Sequence, residues 1–285
     1  MNLENRREMR EVMDKFHITA QKKYGQNFLT SESILDDIID ASNLTKEDIV
    51  LEIGPGLGTL TRRLSEAAGQ VIAVEIDEVL IPVLSETLYG YDNVKVINSD
   101  IMKTDLREII GDADKISVVA NLPYYITTPI VLRLLEYTDV VSSITIMIQK
   151  EVAVRMQAGP GSKDYGALSL AVQYYSDPEI VVDAPAEAFF PMPGVDSVVI
   201  RLESREEPPV DVCDVKEMFK IIRACFNLRR KTLPNAVASG GLGYSRAELE
   251  TALEKMGKSL TVRGETFTME EFAQLTNILK SCVNR

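Results

Sequence analysis

Between residues 49 and 149 the chain alternates short β-branched runs with stretches of helical spacing, and this alternation limits the fold more than any other feature. Ile49 to Ile53, Val71 to Ile76, Val94 to Asn98, Ile116 to Ala120 and Ile144 to Gln149 read as buried strands, because runs that are apolar on both faces suit a sheet covered on both sides. Thr59 to Ala68, Glu78 to Leu88 and Thr128 to Tyr137 read as the helices between them. Strands and helices in strict succession imply a mostly parallel, Rossmann-like α/β sheet wrapped by helices. Leu168 to Tyr175 and Ser197 to Leu202 add strand signals that predict an antiparallel pair at the sheet edge, for about seven strands in all.

The charged stretch Glu203 to Asp211, with Pro208-Pro209, cannot continue a strand and reads as a linker. Beyond it, Val212 to Phe226, Ser245 to Met256 and Met269 to Val283 have helical spacing, with Ser245 and Thr268 as N-caps and Glu248 and Glu271 completing capping boxes. The predicted organisation is an N-terminal extension over 1–20, an α/β domain over 21–204 and a small all-helical domain over 205–285.

Composition removes several chemistries. The single histidine, His17, stands outside every motif, which argues against a histidine base, a serine triad or a histidine-rich metal site, and no metal is expected. The three cysteines, Cys213, Cys225 and Cys282, lack C-x-x-C spacing and read as reduced thiols. No apolar run reaches the roughly 20 residues of a membrane span, and the N-terminus lacks the apolar core of a secretory signal, so a cytoplasmic protein without a membrane partner is expected. A formal net charge of -12 opposes nonspecific binding to nucleic acid. The positive charge is nevertheless clustered. Lys220, Arg223, Arg229, Arg230, Lys231 and Arg246 fall in a stretch free of acids from Met218 to Ala247, which reads either as a solvated face or as a contact for RNA backbone. Lys22 and Lys23 with Arg6, Arg7 and Arg10 form a weaker cluster interrupted by acids, best read as a solvated face.

The strand Ile49 to Ile53 runs directly into Gly54-Pro55-Gly56-Leu57-Gly58 and then a helix, where an α/β sheet lets a ligand approach the backbone. Thr59 stands where a dinucleotide fingerprint wants a small residue, which weakens a pyrophosphate reading, and a merely tight turn is the alternative. Glu75, about 20 residues on, is placed to accept hydrogen bonds from ribose hydroxyls. Asp100, after the third strand, is placed to accept one from an adenine amino group. After the fourth strand comes Asn121-Leu122-Pro123-Tyr124. An aromatic amine is a weak nucleophile because its lone pair is delocalised. The Asn121 amide oxygen and the Leu122 carbonyl can each accept one N–H and aim the lone pair at an electrophilic methyl group, while Tyr124 offers a face for stacking.

Four segments resemble the successive motifs of the ribosomal RNA adenine dimethyltransferase family: Tyr24-Gly25-Gln26-Asn27-Phe28-Leu29, Glu52-Ile53-Gly54-Pro55-Gly56-Leu57-Gly58, the Asn-Leu-Pro-Tyr tetrad, and Phe190-Pro191-Met192-Pro193-Gly194-Val195-Asp196-Ser197. Gln149-Lys150-Glu151-Val152, Tyr165-Gly166 and Arg229-Arg230-Lys231-Thr232 make the likeness greatest to its bacterial small-subunit (16S) branch. The resemblance implies a class I S-adenosylmethionine-dependent methyltransferase. Asn27, Leu29, Gly54, Gly56, Glu75, Asp100 and Asn121 would line the S-adenosylmethionine site. Asn121, Leu122 and Tyr124 would hold the target adenine, with Phe189 either packing on its other face or serving as core beside Phe190.

The resemblance further implies N6,N6-dimethylation of two adjacent adenosines near the 3′ end of small-subunit rRNA, within an immature small ribosomal subunit, by a monomer. Arg223, Arg229, Arg230 and Lys231 of the helical domain would engage RNA. Leu228 stands where many members carry glutamine, which bears on a detail of RNA contact. Competing readings are a large-subunit rRNA methyltransferase and a mainly noncatalytic assembly factor. A DNA adenine methyltransferase lacks a recognisable duplex-reading domain here, and a nicotinamide oxidoreductase lacks its pyrophosphate loop.

Overall fold

The computed structural model describes residues 2–19, 25–111 and 113–283, so Lys22, Lys23 and Tyr24 lie outside the described residues. Nine strands are present among them: β1 (Phe28–Leu29), β2 (Ile49–Ile53), β3 (Gln70–Glu75), β4 (Val94–Asn98), β5 (Ile116–Asn121), β6 (Val141–Gln149), β7 (Ser176–Ala184), β8 (Phe189–Phe190) and β9 (Ser197–Ser204). Seven form one sheet in the order β4-β3-β2-β5-β6-β9-β7. Pairing is parallel from β4 to β6, while β9 is antiparallel to both β6 and β7. The expected seven-stranded, mostly parallel sheet is therefore present. Strand order reverses between β2 and β5, and in open α/β sheets ligands bind at the carboxyl ends of strands beside such a reversal.

One expected strand is a helix. Leu168 to Tyr175 lies in the helix Ala167–Tyr175, and the edge strand begins only at Ser176. A short apolar run does not separate helix from strand by periodicity alone. Here Leu170 and Tyr174, four residues apart, bury themselves together in a helical core. The true strand β7 carries Asp177, Pro178 and Glu179 and so gives a poor strand signal, but at a sheet edge a proline removes no essential ladder bond.

The chain folds as two compact units, Met1–Ala153 with Ser176–Ser204, and Val154–Tyr175 with Arg205–Arg285. The residues expected as an extension thus belong to the first unit, and 154–175, expected in the α/β domain, belong to the second. In the first unit the N-terminal helix Arg6–Lys15 is capped by the Asn5 side chain, which accepts from the backbone N–H of Arg7 and Glu8. Its apolar stripe, Met9, Val12 and Met13, is buried with Leu3, Phe28, Leu57 and Leu80. Arg6 hydrogen-bonds Thr30 Oγ1 at 3.3 Å and Arg10 lies 4.7 Å over the Phe190 ring, whereas Arg7 pairs at the surface with Glu11. All three arginines are exposed.

The second unit is helical. Val215–Asn227, Leu233–Ala238, Arg246–Lys255 and Met269–Val283 join Ala167–Tyr175 around Met218, Ile222, Leu253, Phe267 and Phe272. The capping box at Ser245 and Glu248 is formed in both directions. Thr268 and Glu271 form the second, at 3.0 and 3.3 Å. Cys213 is an exposed and Cys225 a buried free thiol, and no helix among the described residues is long and apolar enough to cross a membrane.

Candidate functional site

A cleft opens in the first unit where the carboxyl ends of β2, β3, β4 and β5 meet the β1 segment. Asn27, Leu29, Gly54, Gly56, Glu75, Asp100, Asn121, Leu122 and Tyr124 all line it. Residues dispersed over nearly a hundred positions are brought together because Gly54, Gly56, Glu75, Asp100 and the Asn121–Tyr124 segment lie at the same end of neighbouring parallel strands, and the β1 segment brings Asn27 and Leu29 to them.

The glycine loop is a backbone requirement. Gly54, Gly56 and Gly58 have φ of +71°, +60° and +90°, in the left-handed region that side chains disfavour. A Cβ at Gly56 would lie 3.1 Å from the Phe28 ring, whereas one at Gly54 would meet nothing within 4 Å, which leaves that backbone open to a ligand. The Gly54 N–H donates to the Val74 carbonyl at 2.9 Å, tying the loop to the end of β3.

Glu75, 4% exposed, accepts from the Gly56 N–H at 3.3 Å and from the Asp77 N–H at 2.8 Å. Burial pushes its carboxyl above the usual range against these bonds. Its carbonyl accepts from Ser99 N–H at 3.0 Å and Asn98 Nδ2 at 2.8 Å, which joins the end of β3 to the loop bearing Asp100. Asp100 Oδ1 accepts from the Met102 N–H at 2.9 Å, a local turn that sets its orientation.

Asn121 closes the far wall. Its Nδ2 donates to the Asn27 carbonyl at 3.1 Å, which commits the amide nitrogen to the protein and leaves Oδ1 as the acceptor. The Leu122 N–H donates to the Met147 carbonyl at 3.1 Å, holding the tetrad against β6. Tyr124 Oη and Ser197 Oγ are 2.6 Å apart, a hydrogen bond that anchors the tyrosine to the start of β9. Burial raises the Tyr124 hydroxyl above the usual tyrosine range, so it stays protonated at neutral pH.

Glu52 begins the glycine motif. It lines the cleft at 1% exposure, and its Oε2 has no hydrogen-bond partner among the described residues. Burial pushes its carboxyl up to about 8, with Thr61 opposing and Glu75 adding to the shift. The signal in the sequence is a lone acid inside the apolar run Ile49 to Ile53.

Two of the expected site residues make contacts of their own within the protein. Phe189 is 1% exposed, packs with Leu29, Ile34, Leu35 and Val199 in the core, and does not line the cleft. In the pairing of β8 with β1 it stands opposite Leu29, and successive strand residues point to opposite faces, so Phe189 takes the inner one. In this structure Phe189 packs in the core, in a cluster separate from the one that takes Phe190.

Arg229 is likewise engaged with the protein. Its guanidinium donates to Glu265 at 2.6 Å and to the carbonyls of Lys163 and Ser162 at 2.8 and 3.0 Å. The stretch free of acids in sequence is partly neutralised from outside it, since Lys220 pairs with Glu217 and Arg246 with Glu250. Arg223, Arg230 and Lys231 are exposed and form no ion pair among the described residues.

Residues 17–280 match the family described as ribosomal RNA adenine dimethylase. The chain is 51% identical to the ribosomal RNA small subunit methyltransferase A of Lachnoclostridium phytofermentans over 94% of both chains. It is 50% identical to that of Alkaliphilus metalliredigens over 93% of both. Among solved structures it is similar to a dimethyladenosine transferase from Plasmodium falciparum, with a TM-score of 0.73, 28% identity, and coverage of 87% of this chain and 95% of that one.

Proposed function

The chain belongs to the ribosomal RNA adenine dimethylase family, and from that premise we propose that it transfers methyl groups from S-adenosylmethionine to the N6 amines of two adjacent adenosines near the 3′ end of small-subunit rRNA. The observation that carries the reading is the meeting of Gly54, Glu75 and the Asn121–Tyr124 turn in one cleft. The near-half identity to small-subunit enzymes, over almost the whole chain, supports this substrate over a large-subunit one.

The cleft fits S-adenosylmethionine. Gly54 leaves backbone open, and the unpartnered buried oxygen of Glu52 calls for a polar or cationic group beside it. When bound, S-adenosylmethionine supplies an electrophilic methyl group on a sulfonium. Glu75 would accept from ribose hydroxyls and Asp100 from an adenine amine, with Asn27, Leu29 and Gly56 completing the wall. Asn121 Oδ1 and the Leu122 carbonyl would each accept an N–H of the target amine, directing its lone pair and stabilising the positive charge that grows on nitrogen. Tyr124, anchored by Ser197, would hold the base by stacking. The methylated amine, acidic while cationic, would pass its proton to water, so no protein base is required.

The proposed substrate is rRNA in an immature small subunit, bound by a cytoplasmic monomer without a metal. Arg223, Arg230 and Lys231 would meet RNA backbone, and Arg229 would hold the segment that carries Arg230 and Lys231. The test is transfer of labelled methyl to undermethylated small subunits, with large subunits and duplex DNA alongside, followed by nucleoside analysis. Dimethyladenosine formed only with small subunits is expected. Label on large subunits or DNA would overturn the substrate, and no label on any of them would overturn the enzymatic reading.

A further inference from the structure

The segment from Pro191 to Asp196 joins β8 to β9 and is tied to the cleft at both ends. Before it, Phe190 pairs with Phe28, which lines the cleft. After it, Ser197 stands opposite Gln149, the last residue of β6, and bonds Tyr124 Oη at 2.6 Å. Because β6 runs parallel to β5, the loop stands at the same end of the sheet as the Asn121–Tyr124 turn and runs from one wall of the cleft to the other.

The loop is stiff, and its apolar side chains face solvent. Asp196 holds its base: the carboxylate accepts from the Ala186 N–H at 3.1 Å, and the carbonyl accepts from the Lys150 N–H at 3.1 Å. Pro191 and Pro193 fix their own backbones, and Pro193 confines Met192 before it to an extended one. On this frame Met192 is 65% and Val195 45% exposed, and a Cβ at Gly194 would meet nothing within 4 Å. Residues kept for packing are buried, so neither side chain is explained by the fold. Beside the loop Arg10 lies 4.7 Å over the Phe190 ring, exposed and without an ion pair among the described residues. An apolar tip with a cation beside it, at the edge of a cleft that takes a base, suits a nucleic acid: the cation meets phosphate and the tip meets a base face.

We infer that Met192 is a substrate-positioning residue that, with Val195, packs on the base face left uncovered when the target adenosine leaves the RNA stack for the cleft. The inference deepens the reading proposed above and rests on it. A base drawn into a pocket leaves a gap, and an apolar side chain that fills the gap offsets part of the cost of unstacking. An unbranched thioether suits the place, because it bends to an irregular gap and is polarisable against a base. Tyr124 holds the reacting base inside the cleft, and Met192 supports the stack it has left.

The test compares Met192→Ser, Met192→Leu and the unaltered chain on undermethylated small subunits. It reads KM and kcat for the subunit, the Kd for S-adenosylmethionine, the Tm, and the salt slope of subunit binding. Met192→Ser should raise KM about tenfold, at the low end of the roughly 10- to 150-fold that full burial of such a side chain is worth. The Tm and the cofactor Kd should not change, because Met192 is exposed and does not line the cleft. The salt slope should not change either, since no charge is lost. Met192→Leu should restore KM, because filling a gap needs apolar volume and not sulfur. A photoreactive diazirine side chain at position 192 should crosslink to the nucleotide adjoining the target adenosine. An unchanged KM, a lowered Tm, a raised cofactor Kd or an altered salt slope in Met192→Ser would each overturn the inference and leave the parent reading intact. Failure of Met192→Leu to rescue, or crosslinks only to a ribosomal protein, would do the same. No dimethyladenosine from the unaltered chain would overturn the parent reading, and this inference with it.

Discussion

Replacing Arg229 with alanine should unfold the second unit more easily while changing little in how the chain senses RNA charge. The guanidinium joins three remote segments of that unit: its own loop after the helix Val215–Asn227, Glu265, and the carbonyls of Ser162 and Lys163. Bonds to a charged group contribute about 1.5–3 kcal/mol each when buried. The side chains of Arg229 and Glu265 are 37% and 25% exposed, so solvent screening reduces this to roughly 0.5–1 kcal/mol per bond. Three bonds then sum to about 1.5–3 kcal/mol, or a fall in the Tm of the second unit of roughly 6–24 °C. Arg230→Ala, at an exposed position without an ion pair, should stay within about 0.5 kcal/mol of the parent. If Arg230 meets a phosphate, its loss should lower the salt slope of RNA binding by about 0.7–0.9. Thermal melts, with RNA titrations between about 50 and 200 mM salt, separate the two residues. An Arg229→Ala chain that melts like the parent but loses a full unit of salt slope would refute the assignment and return Arg229 to the RNA interface.

Three further outcomes follow from the same geometry. Phe189→Ala should cost about 3–5 kcal/mol in urea unfolding, as for other large core side chains, and a parental melt with lost activity would instead reveal a stacking role. Asn121→Ala should lower kcat by about 10²–10³-fold with the fold intact in circular dichroism, and near-normal turnover would remove Asn121 from the proposed chemistry. For Glu52, both folded and unfolded carboxyls hold the proton below about pH 4.5, and between there and about 8 only the folded one does. Stability of the ligand-free chain should therefore fall as pH rises through that window, by at most about 5 kcal/mol. Glu52→Gln should flatten the slope, leaving the smaller part that Glu75 contributes in the same direction, and an unchanged slope would show that Glu52 is already ionised.

The sequence alone was enough for whatever depends on local backbone and spacing. Glycines at positions 54, 56 and 58 serve positive φ, the apolar runs of β2, β3, β5 and β6 suit strands buried on both faces, whereas β4, expected to be buried as well, is the edge strand and has no buried residue, and Ser245 and Glu248 close a capping box within four residues. Alternation of strand and helix then sets Glu75, Asp100 and Asn121 at the same end of the sheet, so most of the cleft was legible before any coordinate. Tertiary structure decided what depends on partners far along the chain. Ala167–Tyr175 became a helix because the core of the second unit takes Leu170 and Tyr174 from one helical face. Phe189 turned inward because β8 pairs with β1 about 160 residues away, and Arg229 is held by Glu265, 36 residues on. Charge, burial and facing are properties of neighbours in space, and a sequence states only neighbours along the chain.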